Sequence, residues 1–549
     1  MNHSNALCLF AASVLGTVSV AADAPSGPAV AAAQRTLELH ERWNPELNAV
    51  IALSPGALET ARQLDAETAA NQRRSPLHGV PVLIKDNIET VDLATTAGSL
   101  ALADNHTGRD APLVSRLRAA GLVVMGKANL SEWANFRSER SSSGWSGVGG
   151  QARNPHNTLR SPCGSSSGSA VAVAAGIVPL AVGTETNGSI ICPSAVNGIV
   201  GIKPTVGLVS RRGIVPISHS QDTAGPMATS VRDAAHLLNA LAGPDAQDPA
   251  SAAADDYFGR DYAASLKADG LRGKRIGVVR SLAGFHEGVD QAFEQAVSDL
   301  AKAGAEIVDD LAFPEYPEGF SDAAYDVLLY EFKHDLNRYL ADLPGPAGAR
   351  SLQKLIEFNR QHAEAEMMWF QQEIFLKSEE KGSLRSPEYL AALESVQSFS
   401  RQGIDGLLEQ HQLDALVSPS NTPAWMIDLV VGDRWLGSSS SFPARAGYPH
   451  ITVPMGFVHG LPVGLSFYAS AWSEPALIEA AYAYEQASSR ARAPSGYGEW
   501  QTAVSEDSRN QGLSLDWVAG EAFAIPAMVG EGARCEVTEG EEGESNTCG

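Results

Sequence analysis

Short apolar runs alternate with amphipathic, helix-like segments along most of the chain. The run GVPVLI at residues 79–84 predicts a buried strand that ends at Lys85. Residues 112–126 predict a helix, a glycine stop and then the strand LVVMG. Residues 274–310 predict a strand, a helix and a second strand in succession. Buried strands that alternate with helices are typical of an α/β domain.

The hydrophobic patterns in the rest of the chain extend this prediction to one large α/β domain. Apolar spacing between residues 29 and 72 is helical, with breaks expected at Pro45 and Pro55. The run IVPLAVGTET at residues 177–186 predicts another buried strand. Residues 318–410 are helical by period and contain few glycines, which predicts a helical insertion or cap. The last predicted elements are strands at 414–419, 450–454 and 463–468 and a helix over Glu474–Ser489.

The two ends of the chain differ from this pattern. Residues 6–20 are apolar and are followed by small residues, which predicts a cleaved export signal over residues 1–24. No Lys or Arg precedes Arg35, so the positive charge usual in such signals is weak. The run is also shorter than the ~20 apolar residues of a membrane span. We therefore expect an exported protein, periplasmic or secreted, with no stable membrane association, a main domain over 25–505 and an acidic extension over 506–549.

Composition and charge narrow the possible partners. The chain has 549 residues, 44% of them hydrophobic, and a formal net charge of −24. Binding to a nucleic-acid backbone needs a basic surface, so nucleic acid is excluded as a partner. Four cysteines follow the predicted signal. Two of them, Cys535 and Cys548, lie at the ends of a glutamate-rich stretch, and a local disulfide between them is a hypothesis. The oligomeric state does not follow from these features.

A serine-rich stretch, SPCGSSSGSAVAVAAG, occupies residues 161–176. It leads directly into an apolar segment, unlike a flexible linker, and it lacks the Lys-Ser/Thr of a phosphate-binding loop. Residues 164–168 match G-x-S-x-G, which would make Ser166 the nucleophile of an α/β-hydrolase esterase with partners such as Asp414 and His450. That motif requires a strand immediately before it, and the preceding residues are polar and turn-like.

A second tight polar stretch, GTETNGSIICP, follows the predicted strand at residues 183–193. It places Ser189 directly after Asn187 and Gly188. Glycine permits a sharp turn there, and such a turn leaves several backbone N–H groups unpaired, as in an oxyanion hole. The alternative is an ordinary Asn-Gly turn, which the sequence alone favours over an oxyanion hole.

The segments GVPVLIKDNI, PCGSSSGSA, GTETNGSI and VGIKPTVGLVS, in this order, resemble the amidase signature family. The resemblance extends from about residue 30 to about residue 490 and is nearest to the bacterial peptide amidases. It implies a single large domain with a mixed central β-sheet covered by helices. It also implies a serine amidohydrolase that forms an acyl-enzyme and releases ammonia from C-terminal peptide amides or other neutral amides.

The same resemblance implies a Ser–cis-Ser–Lys triad. Carried over to this chain, Ser189 is the nucleophile, Ser165 bridges through a cis peptide bond, and Lys85 is the base. The implied oxyanion hole consists of the backbone N–H groups of Thr186, Asn187, Gly188 and Ser189. No cofactor or metal is implied, and the chain has no paired C-x-x-C or H-x-x-x-H motif to hold a metal.

Lysine acts as a base only when it is neutral, and burial lowers its pKa by penalising the charged form. From the residues alone, the favoured interpretation of Lys85 is an ordinary lysine that pairs with Asp86 or extends to solvent, and composition does not choose it over Lys127 or Lys203. At Ile191 many family members carry an arginine suited to a carboxylate. Its absence predicts neutral rather than acidic amide substrates.

Two further expectations concern the cysteines beside the serines and an alternative function within the family. Cys163 and Cys192 flank the two implied catalytic serines, and we expect them to be small buried residues rather than a disulfide. The family also contains components of tRNA-dependent amidotransferases, which work in the cytoplasm as parts of an assembly. The predicted export signal and Ile191 argue against that alternative.

Overall fold

The computed structural model describes residues 27–344, 350–498, 500 and 502–504. The predicted export signal, the acidic extension and the Cys535–Cys548 hypothesis all lie outside these residues. In the described part of the chain, no helix is long and apolar enough to cross a membrane.

Eleven strands in the described residues form one mixed sheet, and two more form a small antiparallel ribbon. The strands are β1 Val50–Leu53, β2 Pro81–Lys85, β3 Val123–Ala128, β4 Trp145–Ser146, β5 Gly150–Gln151, β6 Leu180–Glu185, β7 Val200–Lys203, β8 Thr223–Ala228, β9 Arg275–Val279, β10 Glu306–Leu311, β11 Ala415–Pro419, β12 His450–Val458 and β13 Leu461–Tyr468. Their order in the large sheet is β1-β3-β2-β6-β8-β7-β12-β13-β11-β9-β10, and β4 pairs with β5.

Helices cover this sheet, as predicted for a single large α/β domain. The helices in the described residues are α1 Pro28–Leu47, α2 Ala57–Ala69, α3 Pro112–Ala119, α4 Ser167–Ala174, α5 Ile191–Asn197, α6 Val231–Leu241, α7 Glu287–Lys302, α8 Phe320–Ala341, α9 Leu352–Gln361, α10 Ala363–Glu366, α11 Glu373–Glu379, α12 Pro387–His411, α13 Ser441–Ala446 and α14 Glu474–Ser488. Short 3₁₀ turns lie at Leu100–Leu102, Glu132–Asn135, Pro249–Tyr257, Tyr262–Ser265 and Arg280–Leu282.

The centre of the sheet is buried on both faces. Every residue of β2, β3 and β6 is buried, and every residue of α4 is buried as well. Continuous apolar strands are typical of a sheet covered on both sides. The expected buried strands at residues 79–84 and 177–186 are therefore confirmed as β2 and β6.

The helical segment 318–410 is confirmed as α8 to α12. Its apolar residues build a separate cluster in which Phe332 and Phe375 pack near Trp133 and Phe136. This cluster joins the insertion to the loop between β3 and β4. The insertion is thus packed against the sheet domain through an apolar contact.

The prediction for residues 29–72 was wrong in part. Pro45 lies within the last turn of α1, which continues to Leu47, and a strand follows at Val50–Leu53. This strand is only four residues long and pairs antiparallel with β3 at the sheet edge. Four apolar residues between two helices carry too short a pattern to separate a strand from a helix.

Candidate active site

Two neighbouring parallel strands bring the predicted site residues to one edge of the sheet. β2 ends at Lys85, and β6 ends at Glu185, four residues before Ser189. The two strands pair in parallel, with Ile84 opposite Val182. Parallel neighbours end at the same sheet edge, so Lys85 and the segment that follows β6 lie together there.

Lys85 is fully buried among oxygen atoms. Its Nζ lies 2.8 Å from the Oγ of Ser165, 2.8 Å from the Oγ1 of Thr184 and 3.2 Å from the carbonyl oxygen of Thr184. The Nδ2 of Asn87 donates to the same Thr184 hydroxyl at 3.0 Å. Burial lowers the pKa of Lys85 from 10.5 to about 7, and the negative charge of Glu185 offsets part of that effect. A substantial fraction of this amine is therefore neutral near pH 7.

The other two candidate lysines have different surroundings. Lys127 forms an ion pair with Asp86 at 3.1 Å, so Asp86 is the partner of Lys127 and not of Lys85. Lys203 donates to the carbonyl oxygens of Pro204 and Tyr448. Of the three lysines, only Lys85 contacts a serine predicted for the site.

Ser165 lies on a loop in front of α4, and the peptide bond between Gly164 and Ser165 is cis. The backbone at Gly164 passes close to Ser131. A Cβ atom added at residue 164 would lie 2.1 Å from the Ser131 Oγ. Any side chain at residue 164 would therefore force the Ser131 hydroxyl to move, which favours glycine there. The N–H of Ser131 donates to the Ser165 carbonyl at 3.1 Å, which holds the loop in place.

The neighbouring serines have structural contacts. The Ser166 Oγ donates to the Thr184 carbonyl oxygen at 3.0 Å, and the Ser166 N–H donates to the Ser189 carbonyl oxygen at 3.1 Å. The Ser167 Oγ donates to the Cys163 carbonyl oxygen at 2.7 Å. These bonds attach the serine-rich loop to β6 and to the Ser189 segment.

No α/β-hydrolase site is assembled around Ser166 from the proposed partners. Asp414 accepts from the Arg275 N–H and from Lys274, whereas the buried His450 contacts the Ser466 hydroxyl at 2.6 Å. Ser166 itself begins α4 after an irregular loop and not after a strand. The geometry therefore contradicts this alternative.

The segment from Thr186 to Ser189 has the turn expected for it. Gly188 has a φ of 86°, a left-handed conformation that favours glycine. Among the described residues, no acceptor bonds the four backbone N–H groups from Thr186 to Ser189. The Glu185 carboxylate instead accepts from the next two, those of Ile190 at 2.7 Å and Ile191 at 3.0 Å. The four N–H groups predicted as an oxyanion hole are thus available to a ligand.

Asp222 supports this segment, and the sequence did not assign it a role. Its partly buried carboxylate accepts from the Thr186 hydroxyl at 2.6 Å and from the N–H groups of Ile217 and Ser218 at 2.8 and 2.9 Å. Burial raises the pKa of Asp222 to about 6 despite these bonds. Asp222 lies in the stretch SQDTAGPMA at residues 220–228, and the sequence of that stretch does not show which side chain faces Thr186.

Cys163 and Cys192 form a disulfide, so the expectation of two free buried cysteines was wrong. They are 29 residues apart in sequence, and their Cα atoms are 6.0 Å apart. Cys163 precedes Ser165 by two residues and Cys192 follows Ser189 by three. The bond therefore links the two serine-bearing segments, and both of its sulfurs lie in an apolar cluster with Trp425.

Comparison with known proteins agrees with this architecture. The family model named Amidase matches residues 31–478. The crystal structure of the native peptide amidase from Stenotrophomonas maltophilia is similar at 50% identity and a TM-score of 0.81, covering 85% of this chain and 95% of that chain. A probable amidase of Arabidopsis thaliana is 43% identical over 82% of this chain and 85% of its own length.

A third relative represents another activity within the same family. A glutamyl-tRNA(Gln) amidotransferase component of Symbiobacterium thermophilum is 36% identical over 83% of this chain and 93% of its own length. The family match covers most of the described residues and includes the strands and loops that carry Lys85, Ser165 and Ser189. The chain belongs to the amidase signature family and is an amide-hydrolysing enzyme.

Proposed function

We propose that this enzyme hydrolyses neutral carboxamides, foremost the C-terminal amides of peptides, with Ser189 as nucleophile, Ser165 as proton relay and Lys85 as base. The observation that supports this proposal is the contact of 2.8 Å between Ser165 and a fully buried lysine whose pKa is lowered to about 7. A serine hydroxyl is a weak nucleophile until a base accepts its proton, and a neutral lysine is such a base.

The proposed reaction has two halves. The Ser189 Oγ attacks the amide carbon, its proton passes to Ser165, and the Ser165 proton passes to the Lys85 amine. The carbonyl oxygen becomes an oxyanion that accepts from the free N–H groups of residues 186–189. The C–N bond then breaks as the proton returns through Ser165 to the leaving ammonia. A water molecule attacks the acyl-enzyme by the same proton path and releases the carboxylic acid and Ser189.

The preference for neutral substrates rests on the residues beside Ser189. Residue 191 is a buried isoleucine and offers no charge to a substrate carboxylate. The resemblance to a peptide amidase at 50% identity supports peptide amides over other neutral amides. An ω-carboxylated amide such as malonamate should therefore be a poor substrate.

We further propose that the enzyme is exported and acts alone in an oxidising compartment. The Cys163–Cys192 disulfide supports this proposal, because disulfides persist mainly outside the cytosol. Cell fractionation of the full-length chain, with signal cleavage read by mass spectrometry, tests it. Retention of an uncleaved chain in the cytosol would contradict it.

Ammonia release from a C-terminally amidated peptide by the purified chain, without ATP or tRNA, tests the activity. Ser189→Ala should abolish release. Ser166→Ala, the matched control, should reduce it less, because the Ser166 hydroxyl bonds only backbone groups of Thr184. Loss of activity in Ser166→Ala with retention in Ser189→Ala would contradict the proposed roles, and a requirement for tRNA would favour a role within an amidotransferase assembly.

A further inference from the structure

The loop between β11 and α13 carries an unusual concentration of exposed apolar side chains. Five of the large apolar residues exposed in the described chain lie within residues 426–436, and a sixth, Leu159, lies beside them because its carbonyl oxygen accepts from the Ile427 N–H at 3.0 Å. We call this surface the apolar tip, and it consists of Leu159, Met426, Val430, Val431, Trp435 and Leu436. These residues are between 49% and 75% exposed. Clustered exposure of this kind marks interaction sites more often than scattered apolar residues do.

The base of this loop touches the segment that carries Ser189. The Ser440 hydroxyl donates to the Asn187 Oδ1 at 2.7 Å, and the Asn421 Nδ2 contacts the Cys192 sulfur. Asn421 also pairs with Ser438 through a β-bridge, which closes the loop at its base. The apolar tip therefore lies on a loop whose two ends are attached to the Ser189 segment.

Partly buried polar contacts hold the loop in this position. The indole N–H of Trp425 donates to Asp433 at 2.9 Å, and the Ser143 N–H donates to the same carboxylate at 3.1 Å. Trp425 packs in the apolar cluster with the Cys163–Cys192 disulfide. The loop is thus anchored to the protein on its inner side, while its outer side chains remain in solvent.

We propose that the apolar tip binds apolar side chains of the peptide substrate, within the few residues that precede the C-terminal amide. This inference rests on the proposed function. When a C-terminal amide is at Ser189, the rest of the peptide extends out of the site past its rim. The two ends of the loop that carries the apolar tip contact the Ser189 segment, Ser440 at Asn187 and Asn421 at Cys192. The apolar tip therefore selects peptides with apolar residues upstream of the scissile amide.

Two hexapeptide amides test this proposal, identical in their last two residues and carrying either leucine or serine at the three positions before them. The readout is the ratio of kcat/KM for the leucine peptide to that for the serine peptide. We expect a clear preference for leucine in the wild type and a fall of about tenfold in this ratio in Trp435→Ser/Leu436→Ser, carried by KM. Val91→Ser, which removes a 50% exposed apolar side chain outside the loop, should leave the ratio unchanged.

Other outcomes would overturn the proposal. These are an equal ratio in wild type and double variant, a loss carried by kcat on both peptides, or tip-dependent binding to phosphatidylcholine vesicles with unchanged peptide preference. A dimer that the double variant loses would assign the surface to a second copy of the chain. Failure of the wild type to release ammonia from a simple dipeptide amide would instead contradict the proposed function itself.

Discussion

Replacing Lys85 with methionine separates the proposed role of this residue in catalysis from its effect on stability. Methionine keeps a long apolar side chain in the same space and removes the amine. In the native protein this amine is fully buried and contacts oxygen atoms of Ser165 and Thr184, with no carboxylate in hydrogen-bond contact. We expect Lys85→Met to be inactive and, at pH 7, more resistant to unfolding than the wild type.

The magnitude follows from the pKa of Lys85. Its ordinary value of 10.5 falls to about 7 in the folded protein, a difference that corresponds to about 5 kcal/mol of unfolding free energy. The methionine variant also leaves the Thr184 carbonyl and hydroxyl without their lysine partner, which costs about 1–3 kcal/mol. The net gain expected at pH 7 is therefore about 2–4 kcal/mol.

The sign of the pH dependence is fixed by proton binding. Between about pH 7 and 10.5 the unfolded chain holds a proton on Lys85 that the folded protein has released. The wild type therefore gains about 1.4 kcal/mol per pH unit relative to the variant in this window. The advantage of the variant is lost between about pH 8.5 and 10 and reverses at higher pH, because the Thr184 groups still lack their partner. Below about pH 7 the advantage should be constant, because both states of the wild type are then protonated.

Denaturant unfolding of both proteins between pH 6 and 10 measures this difference, with ammonia release measured in parallel. Lys203→Met is the matched control, because Lys203 is also fully buried and its pKa is lowered to about 8. The control should show a similar pH-dependent gain and keep its activity. A difference between wild type and Lys85→Met that does not change with pH would refute the reasoning, as would retained activity in Lys85→Met.

Three other predictions concern the same site. The kcat/KM for a peptide amide should rise with pH, reach half its maximum near pH 7 and stay level above it, because the proposed base is the neutral form of Lys85; a fall between pH 6 and 8 would contradict this. Asp222→Asn should lower kcat about tenfold with little change in KM, since the carboxylate positions Thr186, and an unchanged kcat in steady-state assays would refute this role. Replacing both Cys163 and Cys192 with serine should lower the unfolding free energy by about 3–4 kcal/mol, because the disulfide closes a loop of 29 residues. Denaturant unfolding measures this loss, and equal stability of the variant and the wild type would contradict the prediction.

Much of the fold and of the site could be predicted because it depends on local pattern. The apolar runs that became β2 and β6 are continuous and lie next to motifs, so Lys85 and Ser189 could be placed at strand ends. The parallel pairing of these two strands then brings both residues to one sheet edge. Strand order itself does not follow from pattern, because contacts between strands distant in sequence leave no periodic signal.

The features that the sequence did not predict depend on which residues lie close together in the folded chain. Two cysteines near two serines are compatible with a disulfide or with two free thiols, and only the 6.0 Å between their Cα atoms distinguishes these. The contact between Asp222 and Thr186 joins residues 36 positions apart and depends on how the loop before β8 folds back. Neither relation has a signature in composition or spacing.

Three buried lysines in the described residues show what makes one of them suitable as a base. A carboxylate favours the charged form, and Lys127 has Asp86 at 3.1 Å. Lys203 donates to two carbonyl oxygens. Carbonyl oxygens accept hydrogen bonds but carry no proton that they could transfer to an amine.

Lys85 differs because two of its three oxygen neighbours are hydroxyls. A neutral amine has two N–H groups and one lone pair, and the Thr184 carbonyl takes one N–H, so one N–H and the lone pair remain for the hydroxyls of Thr184 and Ser165. The loop that carries Ser165 is hydrogen-bonded to Ser189, because the N–H of the next residue, Ser166, donates to the Ser189 carbonyl oxygen. Burial therefore leaves Lys85 partly neutral near pH 7, and its contact with Ser165 supports the proposed proton path from Ser189 through Ser165 to this amine.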